Sequence, residues 1–394
     1  MTKQVSVDVV IFGGGIAGLW TLARLRQAGY GAILLESRAL GGVQSIAAQG
    51  IIHGGTKYAL TGALSDSARA IGEMPELWRD CLAGKGELDL RRVRALSQHQ
   101  YLWSTQSMGS KMAGFFAGKM MRSRMASVDV ADRPPLFQAP EFTGNVYRLD
   151  EPVIDVPSLM AELIRQVGDA CFKVEPDSLR LDPADPCHFS IDSSSGLLNI
   201  QAERLVLAAG EGNEALLQGL GRDLPAMQRR PLHLIMARGL LPEIYAHCLG
   251  ASANPRLTIT SYPLGDSDIV WHLGGQVAES GVNRDEGAQI AAGKAEVAEL
   301  LPWLDLSDIT WASRRIDRAE IATPGGKRPD GWYAQSEQSV ITVWPTKLAF
   351  APKVAADVMA CLESENERPA EADLDVLPRP QLAEPPWNEV PAWN

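Results

Sequence analysis

Apolar residues in the first forty positions form two short continuous runs that are separated by a helical pattern. Val7 to Phe12 is mostly apolar and β-branched, which predicts a strand buried on both faces. Residues 17–28 carry leucine and alanine at near-helical spacing, and Gly29 stands where a helix would end. A second apolar run, Ala32 to Leu35, predicts the next strand. This order of strand, helix and strand is typical of an α/β fold.

Three glycines with the spacing G-x-G-x-x-G lie between the first strand and the helix. Gly13 permits a tight turn, Gly15 lets a pyrophosphate approach the backbone, and Gly18 lets the helix pack closely on the strand. Glu36 ends the second strand and can accept hydrogen bonds from a ribose diol. The spacing alone is weak evidence, and a glycine-rich turn of another α/β protein is the alternative. Its place between a strand and a helix, with the acid after the second strand, favours a dinucleotide site.

Two later segments repeat the pattern of a buried strand followed by a helix. Residues 204–208 predict a strand that runs into Ala209 and Gly210, with a helix from about residue 215. Residues 341–344 predict another strand, followed by a loop and an amphipathic helix over residues 349–361. Small residues after a strand allow its loop to lie against a bound cofactor.

The middle of the chain has a different pattern. Strand-like runs occupy residues 87–104 and 228–275, and apolar positions alternate within 231–239, 256–264 and 267–275. Such alternation predicts an antiparallel sheet with one buried face.

Two amphipathic segments accompany this sheet. Residues 281–304 predict a surface helix whose buried stripe includes Ile290, Gly293 and Val297. Residues 110–125 combine Met and Phe on one helical face with Lys and Arg, which fits either a helix packed on the sheet or an interfacial membrane anchor. The packed helix is the favoured interpretation, so membrane association is possible but not favoured.

Charge and composition narrow the possible partners. The 394 residues carry a formal charge of −11, which argues against nucleic acid as the main partner. Five cysteines lie at positions 81, 171, 187, 248 and 361 without a C-x-x-C pair, and the six histidines are scattered. We therefore expect reduced thiols and no metal site. No apolar run is long enough to span a membrane, and a strand-like run begins almost at once, so we expect a cytoplasmic protein.

Several segments together resemble a known family. The glycine motif with Glu36, the segment EPVIDVPSLMAELIRQVGD (151–169), LVLAAG (205–210) and VWPTKLAFAPKVAADVM (343–359) are similar to FAD-dependent oxidoreductases of the D-amino-acid oxidase and glycine oxidase superfamily. The closing segment and IIHGG (51–55) resemble the forms found in aerobic glycerol-3-phosphate dehydrogenase and 2-hydroxyglutarate oxidase. In the 151–169 segment, Asp155 or Ser158 is expected to cap a helix before the third sheet strand.

The resemblance implies an α/β fold with two interleaved domains. A Rossmann-like FAD-binding domain is expected over residues 1–86, 145–225 and 319–362, and a substrate domain with an antiparallel or mixed sheet over 87–144 and 226–318. Residues 363–394 are rich in proline and acid, and we expect an irregular or disordered tail. Trp387 and Trp393 are expected to dock onto the body or onto a partner. The oligomeric state cannot be predicted.

The cofactor that the resemblance implies is FAD, held non-covalently. Succinate dehydrogenase flavoproteins, which AAQG (47–50) resembles, link FAD through a nearby histidine, and Ser45 stands there in this chain. The residues expected to contact FAD are Gly13, Gly15, Ile16, Ala17, Gly18, Glu36, Ser37, Gly42, Gln44, Ser45, Gln49, Gly50, Ile51, Leu179, Ala209, Gly210, Thr346, Lys347 and Leu348.

Four residues are candidates for catalysis. By its resemblance to a family segment, Arg318 takes a position that binds the substrate carboxylate, although Ala319 replaces the usual proline. Lys347 near a helix N-terminus is expected to stabilise the charge of a reduced flavin. His53 is expected beside the flavin, and either His53 or His272 is a candidate base. The alternatives are a surface ion pair for Arg318, a solvated Lys347 and a buried turn histidine at position 53.

Three functions remain open from the sequence. The first is oxidation of a small amine or amino-acid-like anion by hydride loss to FAD. The second is dehydrogenation of a 2-hydroxy acid or glycerol phosphate, which requires a base for the hydroxyl proton. The third is an FAD-binding interaction protein that has lost catalysis.

Overall fold

A computed structural model of the chain describes residues 3–55, 66–105, 125–250, 254–265, 267–362, 374–390 and 392–394. The strands are β1 Lys3–Phe12, β2 Ala32–Glu36, β3 Ala95–Ser97, β4 Gln100–Ser104, β5 Met125–Ser127, β6 Asn145–Leu149, β7 Val153–Ile154, β8 Cys171–Lys173, β9 Leu179–Arg180, β10 His188–Ser193, β11 Gly196–Leu207, β12 Met227–Gly239, β13 Tyr245–Cys248, β14 Leu257–Pro263, β15 Ile269–Gly274, β16 Thr310–Ile321, β17 Tyr333–Glu337 and β18 Val340–Trp344. The helices are α1 Ile16–Gln27, α2 Asp66–Leu82, α3 Val156–Val167, α4 Asn213–Gly219, α5 Gln276–Glu279, α6 Glu286–Leu300, α7 Ala351–Ala360 and α8 Pro386–Glu389.

The first sheet is largely parallel and has the strand order β17-β18-β11-β1-β2-β8. Strand β1 pairs in parallel with β11 and β2, and β2 pairs in parallel with β8. Its central strands are buried on both faces, as their continuous apolar runs predict. Helix α1 packs against α3 and α7 on one face, where Trp20 and Trp78 lie with ring centroids 4.7 Å apart.

The second sheet is mixed and mostly antiparallel, with the order β16-β12-β15-β14-β13-β4-β6-β5. Helix α6 covers one face and buries Ile290, Gly293 and Val297 there, which confirms the predicted stripe. The helix is shorter than the predicted span of 281–304. It begins after Asp285, whose side chain accepts a hydrogen bond from the Ala288 N–H, and it ends before Pro302.

The chain passes between the two sheets several times. Strands β1 and β2 belong to the first sheet, β4 to β6 to the second, β8 to β11 to the first, β12 to β16 to the second, and β17 and β18 to the first. Helix α3 precedes β8 and is capped by Asp155, which accepts the Ser158 N–H at 3.1 Å, as predicted. The α/β fold class with a mixed second sheet is therefore confirmed. The residue boundaries of the two predicted domains stay a prediction.

The C-terminal segment, residues 374–394, is irregular apart from α8, but it docks onto both sheets. Near the first sheet, the Lys173 N–H donates to the Pro378 carbonyl at 2.7 Å. At the second sheet, Trp387 is buried against Tyr262 with ring centroids 4.4 Å apart, and Asn394 exchanges two backbone hydrogen bonds with Trp311. Docking onto the body is thus what the structure shows for Trp387. The disorder expected for the tail does not extend to these described residues, because they bury apolar side chains.

Candidate active site

A cavity of about 1110 Å³ lies between the two sheets and is lined by residues of both. The first-sheet wall consists of the glycine loop after β1, the loops after β11 and β18, and Glu36 at the end of β2. The second-sheet wall consists of side chains on β12, β13, β14 and β16. Residues 37–55, which we call the crossing loop, run from β2 along the cavity to the second sheet.

The glycine loop brings the N-terminus of α1 to the cavity. Gly13 has a φ of 105°, and a Cβ placed there would lie 2.4 Å from the Ala209 Cα. A Cβ at Gly18 would lie 1.9 Å from the Gly13 carbonyl oxygen, which leaves no room for a side chain between helix and loop. No side chain caps the helix at Gly15, and the Ile16 N–H donates to the Ser45 hydroxyl at 2.9 Å. The helix N-terminus therefore presents N–H groups and a positive dipole end, which suit a phosphate.

Glu36 is held rigidly at the same end of the cavity. Its Oε2 accepts the Gly14 N–H at 2.6 Å, and its Oε1 accepts the Arg38 N–H at 2.7 Å. Each carboxylate oxygen still has acceptor capacity, because a carboxylate offers about four lone-pair sites. The arrangement suits two hydroxyl donors, as a ribose diol provides.

The crossing loop is fixed by contacts to the second sheet and to β7. The Gln49 amide donates to the His272 carbonyl at 2.8 Å, and Gln44 Oε1 accepts the Ala319 N–H at 3.1 Å. Gly50 has a φ of 71°, and a Cβ there would lie 2.0 Å from the Ile154 carbonyl oxygen. The loop backbone can therefore follow the cavity closely only with glycine at this position.

The loop after β18 completes the first-sheet wall. The Trp344 indole N–H donates to the Gly210 carbonyl at 3.0 Å, and the buried Asn213 side chain joins the Ala209 N–H to the Val343 carbonyl. Thr346 has a φ of 60°, and its buried hydroxyl makes no hydrogen bond within the described part of the chain. An unsatisfied buried hydroxyl costs about 1–3 kcal/mol, which a polar group of a bound cofactor would recover. This hydroxyl and the glycine cradle fit a dinucleotide.

Nearly all residues predicted for the site line this one cavity. Of the predicted cofactor contacts, only Gly18 lies outside the lining, and it packs against Gly13 instead. Among the candidates for catalysis, His53, Arg318 and Lys347 line the cavity and His272 does not. Lys347 is placed just before α7, with its Nζ 5.2 Å from the centroid of the Phe350 ring.

His272 is fully buried in β15, and neither ring nitrogen has a hydrogen-bond partner in the described structure. Burial, with a contribution from the charge of Arg314, lowers the pKa of His272 to about 4. The ring is therefore neutral at neutral pH, and it has no contact with the cavity through which to act as a base.

Arg318 lies on β16 with 16% of its side chain exposed. Its Nε donates to the Arg230 carbonyl at 3.2 Å, and its Nη1 lies 3.7 Å from the Glu279 carboxylate. Burial, and then the neighbouring charge of Arg230, lower the pKa of Arg318 to about 10, so the guanidinium is charged at neutral pH. One hydrogen bond and one long ion pair leave donors of its planar fork for an anion.

A polar cluster that the sequence did not predict adjoins His53. His53 Nδ1 lies 3.5 Å from Glu151 Oε2, and the ring stacks on His247 with centroids 5.6 Å apart and planes 15° apart. His247 Nδ1 lies 2.8 Å from the Thr258 hydroxyl. His247 interrupts the apolar stretch from Ile244 to Leu249, which is a signal in the sequence, whereas Glu151 directly follows another acidic residue, Asp150. Only the fold brings both residues to His53.

Neither a metal-binding cluster nor a membrane-spanning helix is found among the described residues. No group of three or more His, Cys, Asp or Glu side chains is placed to hold a metal ion among residues with described positions. Within the same ranges, no helix combines the length and hydropathy needed to cross a membrane. The amphipathic segment 110–125 lies almost entirely outside the described residues.

Comparison with known proteins gives consistent matches. Residues 8–335 match the family described as FAD dependent oxidoreductase, DAO. A probable FAD-dependent oxidoreductase of Pseudomonas aeruginosa is 49% identical over 393 residues, covering 98% of this chain and 99% of the relative. A crystal structure of that oxidoreductase covers 98% of this chain and 99% of its own, with a TM-score of 0.84 and 45% identity. Glycine oxidase from Geobacillus kaustophilus shares the fold, with a TM-score of 0.65 at 14% identity over 96% of this chain and 100% of that one.

Proposed function

The chain belongs to the DAO family of FAD-dependent oxidoreductases, and on this premise we propose that it oxidises a small amine or amino acid that carries an acidic group. The cofactor of this family is FAD. When bound, FAD accepts the hydride that leaves the substrate carbon. The residues of this chain have to bind and orient the substrate and, for a substrate that must lose a proton, accept that proton.

The main support for this proposal is the charge and burial of Arg318. Its guanidinium is charged and mostly buried in the cavity wall, and among the described residues the carboxylate paired with it, that of Glu279, is 3.7 Å away. A buried charge without close compensation is costly, and a bound carboxylate would supply two parallel hydrogen bonds to it. Arg318 is thus proposed to bind the acidic group of the substrate.

On the first-sheet wall, we propose that the N-terminus of α1 and Ser45 hold the pyrophosphate of FAD and that Glu36 holds its ribose. Thr346 supplies its buried hydroxyl to the same cofactor, and Lys347 supplies positive charge. The contacts described above support these roles, because each group faces the cavity with hydrogen-bonding capacity to spare or with a charge.

A second candidate function is favoured by the contact between His53 and Glu151. An alcohol needs a base to take its hydroxyl proton, whereas a neutral amine can lose hydride without one. An imidazole with a carboxylate 3.5 Å away is suited to this task, so a 2-hydroxy acid is the alternative substrate class.

Anaerobic mixing of the purified holoenzyme with a panel of compounds tests the proposal. The panel contains amino acids, N-methyl amino acids, 2-hydroxy acids and glycerol 3-phosphate, and the measurement is bleaching of oxidised flavin absorbance. We expect bleaching by members of the first two groups. Bleaching by hydroxy acids or glycerol 3-phosphate alone would favour the second function. A panel that leaves the flavin oxidised would contradict both and favour a binding protein without catalysis.

A further inference from the structure

We propose that Glu151 is a positioning residue that fixes His53 as a proton acceptor in the cavity, with His247 supporting the imidazole from behind. The inference rests on the proposed function, since it concerns the group that removes a proton from the substrate. It adds two residues, Glu151 and His247, to which neither the sequence motifs nor the family resemblance gave a role.

Glu151 is a buried carboxylate that remains ionised. It follows β6, where the chain leaves the second sheet, and its side chain is 5% exposed. Its Oε1 accepts the Gly54 N–H at 2.7 Å, and its Oε2 accepts a hydrogen bond from the Gln100 amide. Burial acts to raise the pKa of Glu151, but the hydrogen bond and charge of His53, then Gly54 and Gln100, outweigh burial and lower it to about 2.

An ionised carboxylate in a buried position favours positive charge on a neighbouring group. His53 is such a neighbour, because its Nδ1 lies 3.5 Å from Glu151 Oε2. This distance is at the outer limit of a hydrogen bond, and the contact is expected to shorten when the imidazole gains a proton. Glu151 therefore lies where it can serve as the counter-ion of a proton that His53 takes up.

The contact also fixes which nitrogen of His53 can react. With Nδ1 beside the carboxylate, Nδ1 carries the hydrogen in the neutral ring, and Nε2 is left as the acceptor. The His53 side chain is 40% exposed and lines the cavity, so a substrate can reach it. The orientation thus matches the requirement for a general base.

His247 packs against one face of the His53 imidazole. Its ring is nearly parallel to that of His53, and its Nδ1 is anchored to the buried Thr258 hydroxyl at 2.8 Å. Two positive charges on stacked rings would repel each other, and His53 has the carboxylate at its Nδ1. The proton from the substrate is therefore accepted by His53, and His247 limits rotation of its neighbour.

The proton step balances within these groups. An N–H or O–H bond of the substrate breaks, its electron pair stays on the substrate nitrogen or oxygen, and the proton forms a bond to His53 Nε2. The hydrogen on the adjacent carbon would leave with its electron pair, and FAD, when bound, would be the oxidant that accepts it. Glu151 keeps its charge throughout and compensates the imidazolium.

The direct test uses carbethoxylation of histidines in the holoenzyme as a function of pH, because the reagent attacks only neutral imidazole. Peptide mass spectrometry follows His53 in the wild type, in Glu151→Gln and in Glu151→Asp. Removing the carboxylate destabilises the imidazolium, so the midpoint for His53 is expected to move to lower pH in Glu151→Gln and to stay nearer the wild type in Glu151→Asp. His188, an exposed histidine that pairs with Asp185, is the internal control and should not shift.

This measurement needs no turnover, so it separates the inference from the proposed function. An unchanged His53 midpoint in a Glu151→Gln protein that retains FAD would overturn the positioning role, whatever the substrate panel shows. Should Glu151→Gln fail to retain FAD, His53→Asn takes its place in anaerobic flavin reduction against pH. The loss of the acidic limb is expected there, together with a rate at least about 100-fold lower. Persistence of that limb would overturn the inference.

Discussion

The two walls of the cavity are built in different ways. The first-sheet wall consists mainly of backbone: glycines at positions where a Cβ would clash, a helix N-terminus, and turns held by hydrogen bonds. The second-sheet wall consists of side chains from strands far apart in sequence, such as His247 on β13 and Arg318 on β16. A wall made of backbone tolerates almost no substitution, and its shape does not depend on which substrate is oxidised. A wall made of side chains can differ between proteins of the same fold and so accept different substrates.

The largest expected effect is on the first-sheet wall. Gly13→Ala would place a Cβ 2.4 Å from the Ala209 Cα at a φ of 105°, where both sterics and backbone strain oppose a side chain. We expect the purified protein to contain almost no FAD, measured as flavin absorbance per chain. Gly265→Ala is the matched control, because a Cβ there meets no atom within 4 Å. Full flavin content in Gly13→Ala would remove the basis for distinguishing the two walls.

The C-terminal segment docks onto both sheets without lining the cavity. Trp387 is buried against Tyr262, whose hydroxyl donates to the Ala48 carbonyl in the crossing loop at 3.2 Å. Trp387→Ala is expected to lower the free energy of unfolding by about 3–5 kcal/mol, because it empties a buried site. Trp393→Ala, a partly exposed position, should cost clearly less. Chemical denaturation of both variants measures the difference, and equal costs would contradict the docking described for Trp387.

The smallest expected effect concerns His272. This residue of the second sheet is fully buried but does not line the cavity. Its folded pKa of about 4 lies below its usual value of 6.5, so the unfolded chain binds more protons between these values. Stability contributed by keeping this ring neutral is therefore lost as pH falls from about 6.5 to 4, with a slope of up to about 1.4 kcal/mol per pH unit. His272→Leu should flatten that part of the stability curve and leave flavin reduction intact. A strong loss of reduction, with FAD retained, would instead support a catalytic role for His272.

The sequence predicted the first-sheet wall well because its signals are local. A buried strand, the glycine spacing and Glu36 fall within 30 residues, and Asp155 caps its helix through a contact three residues away. The composition of the tail predicted irregular structure, but its docking depends on pairing with residues such as Leu40 and Trp311, which no local pattern reveals.

The second-sheet wall was predicted only in part. The resemblance named Arg318 as a candidate, and Arg318 lines the cavity, whereas Glu151 and His247 were not named as candidates. In that sheet β13 pairs in parallel with β4, so that Cys248 aligns with Trp103 across more than 140 positions of sequence. Such pairings decide which polar side chains meet in the cavity, and alternation along a single strand does not specify them.

The central claim is that Arg318 selects substrates by their acidic group. The most direct test compares wild type and Arg318→Met in anaerobic flavin reduction, with the most effective acid of the panel and with its uncharged amide. The wild type should be reduced by the acid with a rate constant at least about 100-fold higher than by the amide, since two charge-assisted hydrogen bonds are at stake. In Arg318→Met this preference should fall to less than about tenfold, with the amide rate unchanged. Equal reduction of the wild type by acid and amide, or an undiminished preference in the variant, would contradict the account.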